Sequence, residues 1–179
     1  MRQKRSPRSV AVFPGSFDPL TNGHLDIVRR SLSVFDEVVV AILVNSDKRP
    51  LFTAGERVDM IREAYAGEPR VRVDTFSGLL VEYAVKVGAS AVVRGLRAIS
   101  DFEYEFQMAL MNRRLDPRID TIFLMAPEEY SYLSSRLVKE VSALGGQVRG
   151  LVPPVVGRRL REKHGSPRPL ARAKGRPRR

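Results

Sequence analysis

One segment near the amino terminus carries residue types that suit the binding of phosphate groups. Its sequence is Pro14-Gly-Ser-Phe-Asp-Pro-Leu-Thr-Asn-Gly-His24. Gly15 and Ser16 allow the backbone to turn tightly and to come close to a ligand. Thr21 can cap a helix, which puts His24 in the first turn, where unpaired N–H groups and the helix dipole favour an anion. A helix start with an incidental histidine is the alternative, but a histidine directly after a glycine favours phosphate contact.

Cationic side chains follow two later apolar runs. Lys48 lies in Asn45-Ser-Asp-Lys-Arg-Pro50, although lysine is common on any surface loop. Arg94 ends an otherwise apolar run, and Arg97 follows it closely. We expect Gly95 to bend the chain directly after Arg94. An arginine in that position is costly without an anionic partner, so Arg94 favours an anion site more strongly than Lys48 does.

A third segment, Tyr130-Ser-Tyr-Leu-Ser-Ser-Arg136, places hydroxyl groups and a cation at another helix start. Ser134 and Ser135 could serve only as helix caps, and that alternative is about as good as anion binding. The chain contains neither G-x-G-x-x-G nor G-x-x-x-x-G-K-[ST], so the dinucleotide fingerprint and the P-loop are both missing. The pattern therefore indicates another kind of nucleotide site, in which helix N-termini and scattered cations hold the phosphates.

Strand and helix signals alternate along the chain, and Thr53-Ala-Gly-Glu56 matches a capping box that opens the second helix. We expect strands at Val10–Phe13, Glu37–Val44, Val71–Thr75, Ala91–Val93 and Thr121–Met125, each followed by a helix, with helices ending near Ser33, Ala66, Val87, Arg114, Leu144 and Lys163. This order predicts a single doubly wound, Rossmann-like α/β domain with a five-stranded parallel sheet and a C-terminal helical extension. Ligands of such sheets bind beyond the carboxyl ends of the strands, which is where all three segments lie.

The formal charge of +11 is concentrated at the two ends of the chain. Residues 1–9 hold four of the 31 Lys and Arg residues and residues 158–179 hold ten, so 17 bases and 19 acids remain between them. We therefore divide the chain into a basic extension at 1–9, a domain at 10–164 and a basic, Pro- and Gly-rich tail at 165–179 that we expect to be disordered. The near-neutral centre argues against specific nucleic-acid recognition.

Composition also excludes several classes of protein. The 179 residues include no cysteine, which excludes disulfides, cysteine nucleophiles and Cys-based zinc sites, and two histidines are too few for a His-only metal cluster. We therefore expect no metal ligands among the side chains. No run of about 18 apolar residues and no signal peptide is present, so we expect a cytoplasmic protein with no membrane partner.

Several stretches together resemble the nucleotidylyltransferase superfamily with the T/H-x-G-H signature, and in particular its bacterial phosphopantetheine adenylyltransferase family. They are Pro14–Pro19, Thr21–His24, Arg94–Arg97, Asp101–Glu105 and Ser134–Glu140. The resemblance extends from about residue 10 to 160. The T-x-G-H motif identifies only the superfamily, whereas R-G-L-R followed by D-F-E-Y-E is far more specific.

The resemblance implies transfer of the adenylyl group of ATP to 4′-phosphopantetheine, giving 3′-dephospho-coenzyme A and pyrophosphate, with Mg²⁺ as cofactor. It implies catalytic roles for His24, as transition-state stabiliser, and for Lys48 and Arg97. It implies that phosphopantetheine is held by Ser16, Lys48, Leu80 and Arg94. It implies that ATP is held by Ser16, Phe17, His24, Gly95, Leu96, Arg97, Glu105, Tyr130, Ser131, Tyr132, Leu133, Ser134, Ser135 and Arg136. Family members are commonly hexamers, so a homohexamer is expected.

Two residues depart from the family pattern. Ser16 stands where many members have Thr, which keeps a hydroxyl group at that position. Arg136 stands where a third Ser or Thr is expected, so it either clamps the triphosphate or points away from it. Two alternative functions stay open. The chain could be another adenylyl- or cytidylyltransferase with a different acceptor, such as nicotinamide mononucleotide, or, less in keeping with its neutral centre, a nucleic-acid-binding module.

Overall fold

The structure, a computed structural model, describes residues 8–44, 50–97 and 99–166. Within them the strands are β1 (Val10–Gly15), β2 (Glu37–Leu43), β3 (Val71–Phe76), β4 (Ala91–Leu96) and β5 (Asp120–Met125), and the helices are α1 (Asn22–Ser31), α2 (Ala54–Ala64), α3 (Leu80–Lys86), α4 (Ile99–Leu115), α5 (Ser135–Ala143) and α6 (Pro154–His164). A short 3-10 turn at Glu128–Tyr130 precedes α5. Lys48 and most of the predicted basic extension and tail lie outside the described residues, so the predicted domain boundaries stay a prediction.

The strands form one parallel sheet in the order β3-β2-β1-β4-β5. The predicted doubly wound α/β fold is therefore confirmed. The strand order reverses between β1 and β4, because the chain goes outward from β1 to β3 and then returns to the other side of β1. A sheet of this kind opens a crevice at that reversal, beyond the carboxyl ends of the two strands.

Both faces of the sheet are covered by apolar side chains. Successive residues of a strand point to opposite faces. Phe13 and Val40 therefore join an apolar cluster with residues of α1, α2, α5 and α6, while Val12 and Val92 join a second cluster with residues of α3. Burial on both faces explains why the sequence of β2 is almost continuously apolar.

Two helices begin with the caps that the sequence predicts. The hydroxyl of Thr53 accepts a hydrogen bond from the Glu56 N–H at the start of α2, and the Glu56 carboxylate accepts one from the Thr53 N–H in return. Ser134 caps α5 by a single bond, accepting from the Leu137 N–H at 3.1 Å. These caps fix where each helix starts and therefore which way its unpaired N–H groups point.

One local prediction is wrong. Gly95 does not bend the chain after Arg94, because β4 continues to Leu96 and Gly95 pairs with Leu124 of β5. A Cβ at position 95 would lie 3.1 Å from a side-chain carbon of Ile27. The glycine therefore serves the packing of α1 against the strand, and it is this packing that lets the first turn of α1 approach β4.

The longest helix, α4, differs from the others in its surface. Seven of its large apolar side chains are exposed: Phe102, Tyr104, Phe106, Met108, Leu110, Met111 and Leu115. So many exposed apolar side chains on one helix are unusual on a protein that stays monomeric. Over the described residues, none of the helices has the length and apolar character that crossing a bilayer requires.

Candidate functional site

A cleft of about 580 Å³ opens beyond the carboxyl ends of β1 and β4, at the reversal of strand order. It is lined by Phe13, Pro14, Gly15, Ser16, Phe17, Thr21, Gly23, His24, Ile27, Arg94, Gly95, Arg97, Tyr104, Glu105, Ala126, Tyr130, Leu133, Ser134 and Ser135. These residues come from the ends of two strands, the starts of two helices and one side of α4. The convergence of helix N-termini and arginines at one cleft is the arrangement that the sequence predicts.

The first turn of α1 fixes His24 through its cap. The Thr21 hydroxyl accepts from the His24 N–H at 3.4 Å, and the Thr21 N–H donates to Nδ1 of the His24 ring at 3.0 Å. The sequence predicts the cap but not this return bond. Because a backbone N–H donates to Nδ1, Nδ1 carries no proton, and a neutral ring then carries its proton on Nε2. The N–H of Nε2 is therefore the donor that His24 has available.

The surroundings of His24 keep its ring neutral. Burial, together with the positive charges of Arg97 and Arg94, lowers its pKa from 6.5 to about 4. The Phe17 ring stands edge-on to the imidazole, with centroids 5.1 Å apart. His24 therefore enters the cleft near neutral pH as an uncharged hydrogen-bond donor with a fixed orientation.

Arg94 has an anionic partner within the protein. The Glu105 carboxylate of α4 accepts from Nε of Arg94 at 2.7 Å, and its other oxygen accepts from a terminal nitrogen. The remaining guanidinium nitrogen donates to the Pro14 carbonyl at 2.9 Å. This pairing offsets the cost of placing the Arg94 charge at the end of an apolar strand, and it fixes the guanidinium in the lining of the cleft.

The start of α5 forms another wall. Ser134 caps the helix, and the Ser135 hydroxyl donates to the Pro19 carbonyl at 2.7 Å, so both serines serve the local structure. Arg97 donates to the Leu133 carbonyl at 3.2 Å, which draws its guanidinium toward the same helix start. Apart from the Leu137 N–H, which the cap uses, the backbone N–H groups of the first turn of α5 are placed to meet an anion, as the helix dipole favours.

The structure brings most of the predicted site residues together but not all of them. Those lining the cleft are Ser16, Phe17, His24, Arg94, Gly95, Arg97, Glu105, Tyr130, Leu133, Ser134 and Ser135. Five others lie elsewhere: Leu80 packs against the second apolar cluster, Leu96 is buried, Ser131 and Tyr132 line a shallower hollow, and Arg136 is 89% exposed and bonds to Glu140. Lys48 lies outside the described residues.

Three residues that shape the site received no role from the sequence, namely Tyr104, Asp18 and Arg57, and Thr21 has a role beyond its predicted cap. Thr21 sets the tautomer of His24, and Tyr104, exposed on α4, adds an aromatic wall to the cleft. Asp18 and Arg57 hold the loop after β1 from behind. The sequence signal for Asp18 and Tyr104 was their place inside the stretches that carry the family resemblance.

A larger hollow of about 880 Å³ lies between the start of α1, the α5–α6 connection and α6. Its lining is mostly apolar and includes Glu63, Arg149 and Arg161 as charged residues. Of the residues discussed above as carriers of chemistry, none lines it, so its size alone does not make it the site.

Comparison with known proteins agrees with this assignment. The family model described as cytidylyltransferase-like matches residues 12–141. Phosphopantetheine adenylyltransferase of Geobacter metallireducens is 56% identical over 162 residues, which cover 90% of this chain and 99% of the relative. The protein of the same name from Heliobacterium modesticaldum is 56% identical over 157 residues, covering 88% of this chain and 94% of the relative.

A solved structure supports the fold independently. A protein from Vibrio parahaemolyticus, provisionally described as a nicotinate-nucleotide adenylyltransferase, superposes with a TM-score of 0.64. The match covers 86% of this chain and 99% of the other, with 19% identical residues. At that identity the likeness concerns the fold alone.

Proposed function

The chain belongs to the cytidylyltransferase-like family, and on that premise we propose that it transfers the adenylyl group of ATP to 4′-phosphopantetheine, giving 3′-dephospho-coenzyme A and pyrophosphate, a step of coenzyme A biosynthesis. The observation that carries the proposal is the meeting of His24, Arg94, Arg97 and two helix N-termini at one cleft. Such a cleft suits two anionic small molecules held side by side.

The reaction needs no general base and no covalent intermediate. A phosphate oxygen of phosphopantetheine is already anionic near neutral pH, so it can attack the α-phosphorus of ATP directly. A bond forms between that oxygen and the α-phosphorus while the bond from the α-phosphorus to the bridging oxygen breaks, and pyrophosphate leaves with the electron pair. Catalysis then consists of positioning and charge stabilisation.

His24 and the first turn of α1 would meet the charge that builds up on the α-phosphate oxygens. The neutral ring donates from Nε2, and the backbone N–H groups beside it add the field of the helix N-terminus. A donor held in place before the reaction costs no reorganisation during it. His24 therefore acts as a transition-state stabiliser and not as an acid or base.

Different cationic residues would bind the two substrates. Arg94, held by Glu105, would bind the phosphate of phosphopantetheine, with Lys48 as its partner. Arg97 and the first turn of α5 would bind the β- and γ-phosphates and then the leaving pyrophosphate. We assign Glu105 to the fixing of Arg94, because both of its carboxylate oxygens accept from that guanidinium.

Magnesium fits this cleft as a companion of the triphosphate. Among the described residues, no three His, Cys, Asp or Glu side chains converge as a metal site would need. Glu105 lines the cleft, but its carboxylate is engaged by Arg94. We propose that Mg²⁺ enters on ATP and is held mainly by phosphate oxygens, where it would neutralise developing charge.

We propose that the chain assembles with copies of itself through α4, up to the hexamer common in the family. The exposed apolar side chains of this helix would lose their contact with water in the assembly. Leu110→Glu should therefore reduce the mass measured by analytical ultracentrifugation. Leu144→Glu is the control, because Leu144 is 80% exposed and lies outside α4. Equal masses for all three proteins would reject α4 as the interface.

Incubation of the protein with ATP, Mg²⁺ and 4′-phosphopantetheine tests the proposed reaction, with mass spectrometry of the product. We expect dephospho-coenzyme A and an equal amount of pyrophosphate. CTP in place of ATP, and nicotinamide mononucleotide in place of phosphopantetheine, are the controls. Faster turnover with either replacement would reject the proposed pair. We further propose a cytoplasmic location, where the donor ATP is available.

A further inference from the structure

The loop that follows β1 is tied down by a carboxylate that the proposed chemistry does not use. The Asp18 side chain is only 7% exposed. One of its oxygens accepts from the Phe52 N–H at 2.9 Å, and the other accepts from the Leu51 N–H at 3.0 Å and from Nζ of Lys139 at 2.7 Å. Removing a carboxylate from water costs several kcal/mol unless it is paired and hydrogen-bonded, and these three bonds meet that condition.

The three bonds join the loop to two separate helices. Leu51 and Phe52 lie just before α2, and Lys139 lies on α5, whose first turn forms a wall of the cleft. The Ser135 hydroxyl of α5 adds a bond to the Pro19 carbonyl, directly after Asp18. A single buried charge therefore sets the position of the loop relative to both helices.

A second buried charged residue, Arg57, holds the loop at Ser16, one residue before Phe17. Arg57 of α2 is buried, and its guanidinium donates to the Ser16 carbonyl at 2.7 Å and to the Thr53 carbonyl at 3.3 Å. The loop is thus held on both sides of Phe17, at Ser16 by Arg57 and at Asp18 by its three partners. A segment held at two adjacent points has little freedom to shift between them.

These bonds on either side of Phe17 fix its backbone and the position of its ring. Its φ of 46° lies in the left-handed region, which is unfavourable for a residue with a large side chain and persists only when the surroundings enforce it. Its ring packs edge-on against the His24 imidazole at 5.1 Å and against Phe13 at 5.4 Å. Release of the loop would move this ring away and admit water to His24.

We propose that Asp18 is a positioning residue: by holding the loop after β1 against α2 and α5, it keeps Phe17 packed on the His24 imidazole and so fixes the donor that faces the reacting phosphate. The part of this inference that concerns turnover rests on the proposed function. The part that concerns the surroundings of His24 does not.

Asp18→Asn tests the proposal, because the amide has the size of the carboxylate but no charge to hold Lys139 and one fewer strong acceptor. We expect kcat to fall roughly a hundredfold, the scale of a misplacement of about 1 Å. The KM values for ATP and phosphopantetheine should change by less than about threefold, since Arg94 and Arg97, to which we assign the phosphates of the two substrates, are held by bonds that do not involve Asp18.

An NMR measurement detects the altered surroundings of His24 in Asp18→Asn without any substrate. The proton on Cε1 of His24 reports the protonation of the ring in an NMR titration, and His164→Asn identifies which of the two histidine signals is which. The midpoint should be about 4 in the unaltered protein and should move toward 6.5 in Asp18→Asn, as water reaches the ring.

Asp116→Asn is the matched control. Asp116 also accepts from a backbone N–H and from a guanidinium, both of Arg118, but it lies at the amino end of β5, on the opposite edge of the sheet. It should leave kcat and the His24 midpoint unchanged. If Asp18→Asn fails to fold, Lys139→Gln takes its place, because Lys139 is partly exposed and its loss leaves the bonds to Leu51 and Phe52 intact. We then expect a fall in kcat of about tenfold and a raised midpoint.

The outcomes separate the two proposals. An unaltered protein that makes no dephospho-coenzyme A rejects the proposed function, and a raised His24 midpoint in Asp18→Asn still supports the positioning role. A folded Asp18→Asn, or Lys139→Gln in its place, with the kcat and midpoint of the unaltered protein overturns that role. A lower kcat with an unmoved midpoint, or an equal loss in Asp116→Asn, overturns it as well.

Discussion

The cleft is walled by two helix starts, α1 and α5, that are built alike and differ in what their side chains do. Each begins with a hydroxyl cap, Thr21 or Ser134, that accepts from a backbone N–H of the first turn. At α1 the side chain of His24 turns back to its cap and is partly buried in the cleft. At α5 the side chain of Arg136 turns outward to Glu140.

The comparison teaches that the surroundings of a side chain, and not its charge, decide its part in the site. His24 is fixed by a backbone donor on one side and by the Phe17 ring on the other. The bond between Arg136 and Glu140 joins residues four apart on an exposed helix face, where solvent screens such a pair and it contributes little to stability. We therefore expect α1 to contribute a side-chain donor to the bound phosphates, whereas α5 contributes only its backbone N–H groups.

Removal of the fixed donor should have the largest effect. His24→Ala deletes the Nε2 donor and should lower kcat by roughly a hundred- to a thousandfold, the scale of one lost transition-state donor. Steady-state kinetics with saturating ATP and phosphopantetheine measures the change. His24→Gln keeps an N–H donor on a more flexible side chain, so its kcat should lie between those of the unaltered protein and His24→Ala. A folded His24→Ala protein with unchanged kcat would remove His24 from the mechanism.

A cation that is held from two sides should behave like His24 and unlike Arg136. Arg94→Ala removes a guanidinium that Glu105 and the Pro14 carbonyl fix in the cleft. We expect the Kd for phosphopantetheine to rise roughly ten- to a hundredfold, the worth of a charge-assisted hydrogen bond, and the Kd for ATP to change much less. Calorimetric titration of each ligand alone measures both. An equal loss of ATP affinity would contradict the assignment of Arg94 to the acceptor.

Sequence reasoning reached the elements of the site because their signals are local. The Thr21 cap, the capping box at Thr53 and the apolar run of β2 each depend on residues within a few positions of one another, and the structure has all three. Placing the segments at one edge then follows from the parallel sheet.

Sequence reasoning failed where the outcome depends on residues far apart in the chain. Gly95 was expected to bend the chain because glycine commonly does so, yet its missing side chain makes room for Ile27, 68 positions earlier. The bond from Lys139 to Asp18 spans 121 positions and leaves no periodic trace. The direction of Arg136 was left open, because the residue type does not reveal whether a neighbouring carboxylate competes with the ligand for it.

The protonation of His24 should make the stability of the protein depend on pH through the start of α1, where the side chain is partly buried, and not through the exposed Arg136 at the start of α5. Burial and the nearby arginines lower its pKa from 6.5 to about 4, so between those values the unfolded chain binds a proton that the folded protein does not. The stability that depends on neutral His24 is therefore complete above pH 6.5 and is lost progressively as the pH falls from 6.5 to 4. Urea unfolding of the unaltered protein and of His24→Gln should show the free energies of unfolding converging as the pH drops. Parallel pH profiles would contradict this linkage.

Replacement of the outward side chain should have the smallest effect. Arg136→Ser leaves the Ser134 cap and the first-turn N–H groups of α5 in place and removes a side chain that is 89% exposed. We expect kcat and the KM for ATP to stay within about twofold of the unaltered values, since a solvated arginine paired with Glu140 contributes little at the cleft. Glu140→Gln is the matched test, because it frees the guanidinium while keeping the helix intact. A tenfold rise in the KM for ATP in Arg136→Ser would contradict this expectation. It would mean that Arg136 turns toward the cleft when the triphosphate binds, so that α5, like α1, contributes a side-chain donor.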